Sequence, residues 1–202
     1  MKTLSAILIC CFISTIQMYG ENIQRPESEN YVKGVEALNE GNPEAAYTYL
    51  NAEINEHPDN GYAHCYMALI CNFCNDTKLA LKALNSSLEL IPEADTEYRS
   101  FAHYSRGVLL TNLKMWEHAE AGLNEAIRLN PEDVENYKSR AQLYFETERY
   151  EESLDDLTRA LKLDSKADVN DLVLQLMAVA PTSEFMERIT ATYQQLDQVT
   201  IH

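Results

Sequence analysis

Cys71-Asn72-Phe73-Cys74 sets two thiols at the spacing used for dithiol exchange or for half of a zinc site. Either use needs more than spacing: a lowered thiol pKa in a strand–helix setting, or further ligands. Cys65 and His64 lie two helical turns upstream, no second cysteine pair exists, and the other histidines are scattered. The residues therefore favour buried, apolar cysteines. A thiol, disulfide or metal module on Cys71 and Cys74 stays open as the alternative. The densest acidic run, Glu151-Glu152 with Asp155-Asp156, reads as a solvated helix face, with a docking patch for Lys or Arg as the second reading. There is no G-x-S-x-G and no phosphate-binding glycine loop. The expectation is a non-catalytic protein without cofactor, metal or small-molecule substrate.

His57-Pro58-Asp59 resembles the tripeptide of J-domain co-chaperones, which there follows a basic helix. Here the preceding stretch carries Glu44, Glu53 and Glu56 and no Lys or Arg, and Pro58 has another explanation. Pro58, Pro92 and Pro131 each close an apolar helical stretch, 34 and 39 residues apart. Small residues keep step with them: Gly34, Ala68, Gly107 and Ala141, then Ala46, Ala80, Ala119 and Ser153. Leu50, Leu84, Leu123 and Leu157 follow four residues after the second set. Several sets in one register make a repeat of about 34 residues the first feature to believe.

Each unit divides into two helices. In the third, Tyr104, Val108, Leu109 and Leu113 recur at helical spacing, Lys114-Met115 make a turn, and Trp116, Ala119, Leu123, Ala126 and Ile127 form a second apolar face. The small residues let helix backbones approach so that Leu and Ile ridges seat between them.

This pattern resembles the tetratricopeptide repeat family, W-x2-L-G-x2-Y, then A-x3-F, then P. The third unit reads His103-x2-Arg106-Gly107-x2-Leu110, Ala119-x3-Leu123, Pro131; the fourth reads Tyr137-x2-Arg140-Ala141-x2-Tyr144, Ser153-x3-Leu157. Ser165 replaces the fourth proline, and Glu53 stands where the first unit should be small. The resemblance implies an all-α fold: a right-handed superhelical array of antiparallel helix pairs. The units fall at 27–60, 61–94, 100–133 and 134–167, with an insertion at 95–99 that lengthens the start of a helix. Residues 168–202 read as a C-terminal capping helix pair. In it, Val169, Leu172, Val173, Leu176 and Met177 make one stripe and Phe185, Ile189 and Tyr193 another. Pro181 separates the two, and Gln194, Gln195, Asp197 and Gln198 face solvent.

The resemblance also implies that first helices line a concave groove. Its positions are Tyr31 and Val35; Tyr62, Cys65, Leu69 and Asn72; Phe101, Tyr104, Val108 and Asn112; and Glu135, Lys138, Gln142 and Phe145. Rings offer wide contact, and Asn can hold a peptide backbone. Family members that grip the acidic tails of cytosolic chaperones use a Lys/Asn/Lys/Arg clamp. The matching positions here hold Tyr31, Val35, Tyr66, Phe101 and Ser105, so that partner is argued against.

The chain has 202 residues, 46% of them apolar and 24% charged, the balance of a globular protein. Its 16 basic and 32 acidic residues give a net charge of −16, which repels nucleic acid and attracts basic partners. Lys2, an apolar run from Leu4 to Ile16 and a polar rise at Glu21 read as a signal peptide over 1–20 and a polar leader over 21–26. A lipid anchor on Cys10 or Cys11 would be the one route to a membrane, but Ile9 and Phe12 disagree with a lipobox. Together these features describe an exported adaptor or scaffold, periplasmic or extracellular, that would bind a protein or peptide in its groove. A self-associating structural subunit of an envelope complex is the rival reading.

Overall fold

In the computed structural model, residues 23–179 and 182–199 are described. Residues 1–20, read above as a signal peptide, lie outside them with Glu21, Asn22 and Pro181, as do the side chains of Tyr193, Gln195, Asp197 and Gln198. The described residues form ten α-helices and no strand: α1 (Glu29–Asn39), α2 (Pro43–Glu56), α3 (Gly61–Phe73), α4 (Thr77–Leu90), α5 (Thr96–Asn112), α6 (Trp116–Leu129), α7 (Val134–Glu146), α8 (Tyr150–Leu163), α9 (Asn170–Val179) and α10 (Ser183–Val199). Two compact units meet in sequence inside α5, the first ending at Ser105 and the second starting at Arg106.

The helices turn back on one another through one repeated device. Gly41, Asn75, Lys114 and Glu148 adopt φ of 72°, 60°, 58° and 61°, the left-handed conformation that ends a helix. One residue later a backbone N–H reaches back over the last turn: Asn42 to the Ala37 carbonyl, Asp76 to Cys71, Met115 to Leu110 and Arg149 to Tyr144. The next helix begins at once. Asn42 and Asp76 accept from the Ala45 and Leu79 N–H groups, at 3.1 and 3.0 Å. Four antiparallel hairpins result: α1–α2, α3–α4, α5–α6 and α7–α8.

In the first unit α1 packs on α2, α2 on α3 and α3 on α4. Gly34 is needed for close approach: a Cβ there would sit 2.6 Å from Leu50 Cγ. Glu53, large and acidic where a small residue fits the repeat, is buried, and Asn60 Nδ2 donates to its Oε1 at 2.7 Å. Asn60 also caps α3 by accepting from the Ala63 N–H at 3.0 Å. The residues around 95–99 are similarly employed. Asp95 accepts from the Tyr98 N–H at 3.2 Å, and Arg99 donates to the Leu88 and Ile91 carbonyls at the end of α4, at 2.8 and 3.0 Å.

In the second unit Gly107 repeats the close approach, a Cβ there meeting Leu123 Cγ at 2.7 Å. Ser153 takes a small position and satisfies its hydroxyl on the Ala141 carbonyl at 2.8 Å. Tyr137, Leu154, Leu157 and Leu161 join Val169, Leu172, Val173, Leu176, Phe185 and Ile189 in one buried core. Helices α9 and α10 thus cover the α8 side of the last hairpin and contact each other. Thr182 Oγ1 accepts from the Phe185 N–H at 3.1 Å and starts α10. No helix among the described residues is long and apolar enough to cross a membrane.

Candidate partner-binding face

Tyr62 and Tyr66 stand one turn apart on α3 and point to the same side. There Tyr66 meets Tyr31 of α1, ring centroids 6.1 Å apart, and Tyr62 meets Tyr98 of α5 edge-on at 4.9 Å. The Tyr66 and Tyr98 hydroxyls are hydrogen-bonded at 2.9 Å. One turn further on α5, Phe101 and Tyr104 stack at 6.3 Å. The first helices of the first unit therefore share an aromatic face.

That face is more closed than the groove positions imply. Tyr31, Tyr62, Phe101 and Tyr104 are each less than a tenth exposed, and the Tyr31 and Tyr62 rings pack against rings of neighbouring helices. The Tyr62 hydroxyl is committed as well, donating to Asp95 Oδ2 at 2.9 Å. Burial raises the pKa of Tyr31, Tyr62, Tyr66 and Tyr98 above the ordinary phenol value, so all four are neutral donors at physiological pH. On α3, Leu69 is half-buried and Asn72 exposed near the helix end.

In the second unit Val108 is half-buried and Asn112 exposed on α5. On α7, Lys138 Nζ donates to Glu135 Oε1 at 2.8 Å, and Gln142 Nε2 to Glu146 Oε1 at 3.1 Å. These α7 side chains are tied to their own helix at distances a competing ligand could displace.

Two charged residues beside the rings complete the first unit's face. Arg25, ahead of α1, lies over the Tyr98 ring with its guanidinium carbon 4.6 Å from the centroid. Its Nε donates to Asp95 Oδ2 at 3.4 Å and its Nη2 to Glu97 Oε2 at 3.1 Å. Burial pulls the Arg25 pKa down, but the hydrogen bond and charge of Asp95 outweigh it, and the net shift is upward. Asp95, Glu97 and Tyr98 fall in the insertion, outside the repeat register, so spacing could not assign them to this face. Arg25 falls in the leader, where only its charge marked it.

The three cysteines sit in different surroundings. Cys65 is fully buried, so it lines no groove, and burial pushes its pKa up to about 12. Cys71 is buried and shifted up for the same reason, while Cys74 is exposed just past α3, and all three are free. Burial therefore disfavours the thiolate at Cys65 and Cys71. Among the described residues no three His, Cys, Asp or Glu side chains gather so as to hold a metal. His57-Pro58-Asp59 forms the exposed turn between α2 and α3, where His64 Nε2 contacts the Pro58 carbonyl oxygen at 3.0 Å.

The tetratricopeptide-repeat profile matches residues 135–166, which hold α7 and α8. The fold along the chain is that of tetratricopeptide-repeat structures. Solved structures match the fold along most of its length. MamA from Desulfovibrio magneticus RS-1 (residues 41 to its end) is 19% identical, with 84% of this chain and 94% of that chain covered and a TM-score of 0.67. PilF from Pseudomonas aeruginosa is also 19% identical, covering 84% of this chain and 74% of its own, at a TM-score of 0.67. YrrB, described as a tetratricopeptide-repeat protein with an unusual peptide-binding site, is 20% identical over 73% of each chain, at a TM-score of 0.61. No curated protein matches the sequence.

Proposed function

We propose that this chain is a non-catalytic adaptor or scaffold, exported by its first twenty residues, that holds a segment of a partner protein against its first helices. The observation that carries the reading is the convergence of rings from three successive first helices, α1, α3 and α5, in the first unit. The peptide-binding site described for YrrB, a protein of the same fold, supports it. The buried rings make a stiff floor. A partner would meet the side chains left accessible on the first unit, Leu69 and Asn72. Asn72 would pair with its backbone amides. The net charge of −16 would speed encounter with a basic partner.

The test is capture of the partner from the envelope fraction of the native organism, followed by affinity measurement with the Asn72→Ala variant. Asn72 is exposed, so helix content should be unchanged. Affinity should fall about tenfold, the loss of one or two hydrogen bonds. Unchanged affinity in the folded variant removes these helices as the binding face.

A further inference from the structure

Residues 23–28 run without helix onto the first unit. Pro26 disfavours helix at Arg25. α1 starts only at Glu29, and the chain between delivers the guanidinium to three groups at once: the Tyr98 ring, Asp95 and Glu97. A planar guanidinium can stack on a ring while its edge donates to two carboxylates; a round ammonium cannot do both.

The cradle does not depend on Arg25 for its shape. The Asp95 side chain is 1% exposed and is already held by the Tyr62 hydroxyl and the Tyr98 N–H. Arg25 keeps 27% of its side chain in solvent and is joined to the fold through a short non-helical segment. Docking that segment also leaves the Ser28 hydroxyl buried without a partner, a cost that release would return. A preformed cradle with a loosely tethered occupant is the arrangement of a site that exchanges occupants.

We propose that Asp95, Glu97, Tyr62 and Tyr98 form an arginine-reading subsite, filled in cis by Arg25 until an arginine-bearing segment of a partner protein displaces it. The proposal rests on the adaptor reading and supplies the partner's chemistry: an arginine in a non-helical segment. The docked leader lowers apparent affinity by the fraction of time it occupies the cradle.

The probe is a labelled peptide of residues 23–29, followed by fluorescence anisotropy on the full chain and its variants, with circular dichroism as the check on folding. Arg25→Ala should bind the peptide about tenfold more tightly than the parent chain, since the competitor is gone. The same peptide with Ala for its Arg should not bind. Glu97→Gln in the Arg25→Ala background touches no helix cap and should weaken binding about fivefold, the worth of one charge-assisted hydrogen bond at a half-buried site. Equal binding to the parent and Arg25→Ala chains, or indifference to Glu97→Gln, overturns the subsite. A captured partner protein bound equally by the parent and Arg25→Ala chains also overturns it, while leaving the adaptor reading in place. Tighter peptide binding by Arg25→Ala, with no protein captured by either chain, upholds the subsite and overturns the adaptor reading.

Discussion

Arg140 shows how one residue of the repeat is kept charged inside it. Its Nε and Nη2 donate to the two oxygens of Asp156, both at 2.7 Å, and Nη1 donates to Asn124 at 2.6 Å. The pair is bidentate and mostly buried, with 20% of the Arg140 and 8% of the Asp156 side chain exposed. Asp156→Ala would strand the guanidinium. It should cost about 2–3 kcal/mol in urea unfolding, less than a fully buried pair because Arg140 retains some solvent. A cost below about 0.5 kcal/mol, the level of an exposed pair, would show that the contact is not sustained in solution. The sequence marks Arg140 as a basic residue at the repeat's Leu position. Its partner sixteen residues on is settled only by the packing of α7 on α8.

At the scale of elements, the hairpin turns carry a strain the repeat does not require. All four turn residues adopt positive φ, yet only Gly41 is a glycine. Lys114 and Glu148 bear a Cβ in a conformation that disfavours one. Lys114→Gly and Glu148→Gly should each stabilise the chain by about 0.5–1 kcal/mol, the relief of that strain less the added freedom of glycine in the unfolded chain. Gly41→Ala should lose about 1 kcal/mol by the same reasoning. Denaturant midpoints of the three variants check the signs; a destabilised Lys114→Gly would mean that the Lys114 side chain stabilises the turn. The turn sites are visible in the sequence because Gly41, Asn75, Lys114 and Glu148 keep the repeat spacing. The buried role of Glu53 is not, because its partner Asn60 is recognisable only once α2 and α3 are packed.

Over the whole molecule, titration should separate acid from alkaline behaviour. Tyr31, Tyr62, Tyr66 and Tyr98 all have pKa values raised by burial, and all lie in the first unit. The unfolded chain therefore ionises first. Their contribution is intact below the ordinary phenol value of about 10 and is lost as pH climbs through the folded values. Thermal midpoints should fall steeply above pH about 10, and Tyr66→Phe should soften the fall. A flat profile there would mean that the four rings are solvated. On the acid side burial raises Asp133, so the folded chain binds its proton more readily. Stability from this group grows as pH drops through the folded value toward 3.8, and relief of the −16 charge acts in the same direction. Glu29 and Glu152 work the other way: their lowered pKa values withdraw stability as pH falls below the ordinary 4.5. The midpoint should therefore rise on mild acidification from neutral pH and fall only in stronger acid. A midpoint that falls throughout would show that the Asp133 carboxylate is stabilised as an anion.

The amino-acid order alone determined the helices, their pairing into hairpins and the small residues at the crossings. Each of these follows from local spacing, with a ridge every three or four residues and a turn where the pattern breaks. Only the tertiary structure decided which groove residues are accessible. Tyr62 holds a groove position in the repeat, but whether a ring faces solvent depends on the helix next to it, and here Tyr98 of α5 packs edge-on against it. It also decided where Arg25 goes. A cation in a non-helical leader can pair with many of the 32 acids in the sequence, and the one it meets is fixed by the helix start that presents Asp95 beside Tyr98.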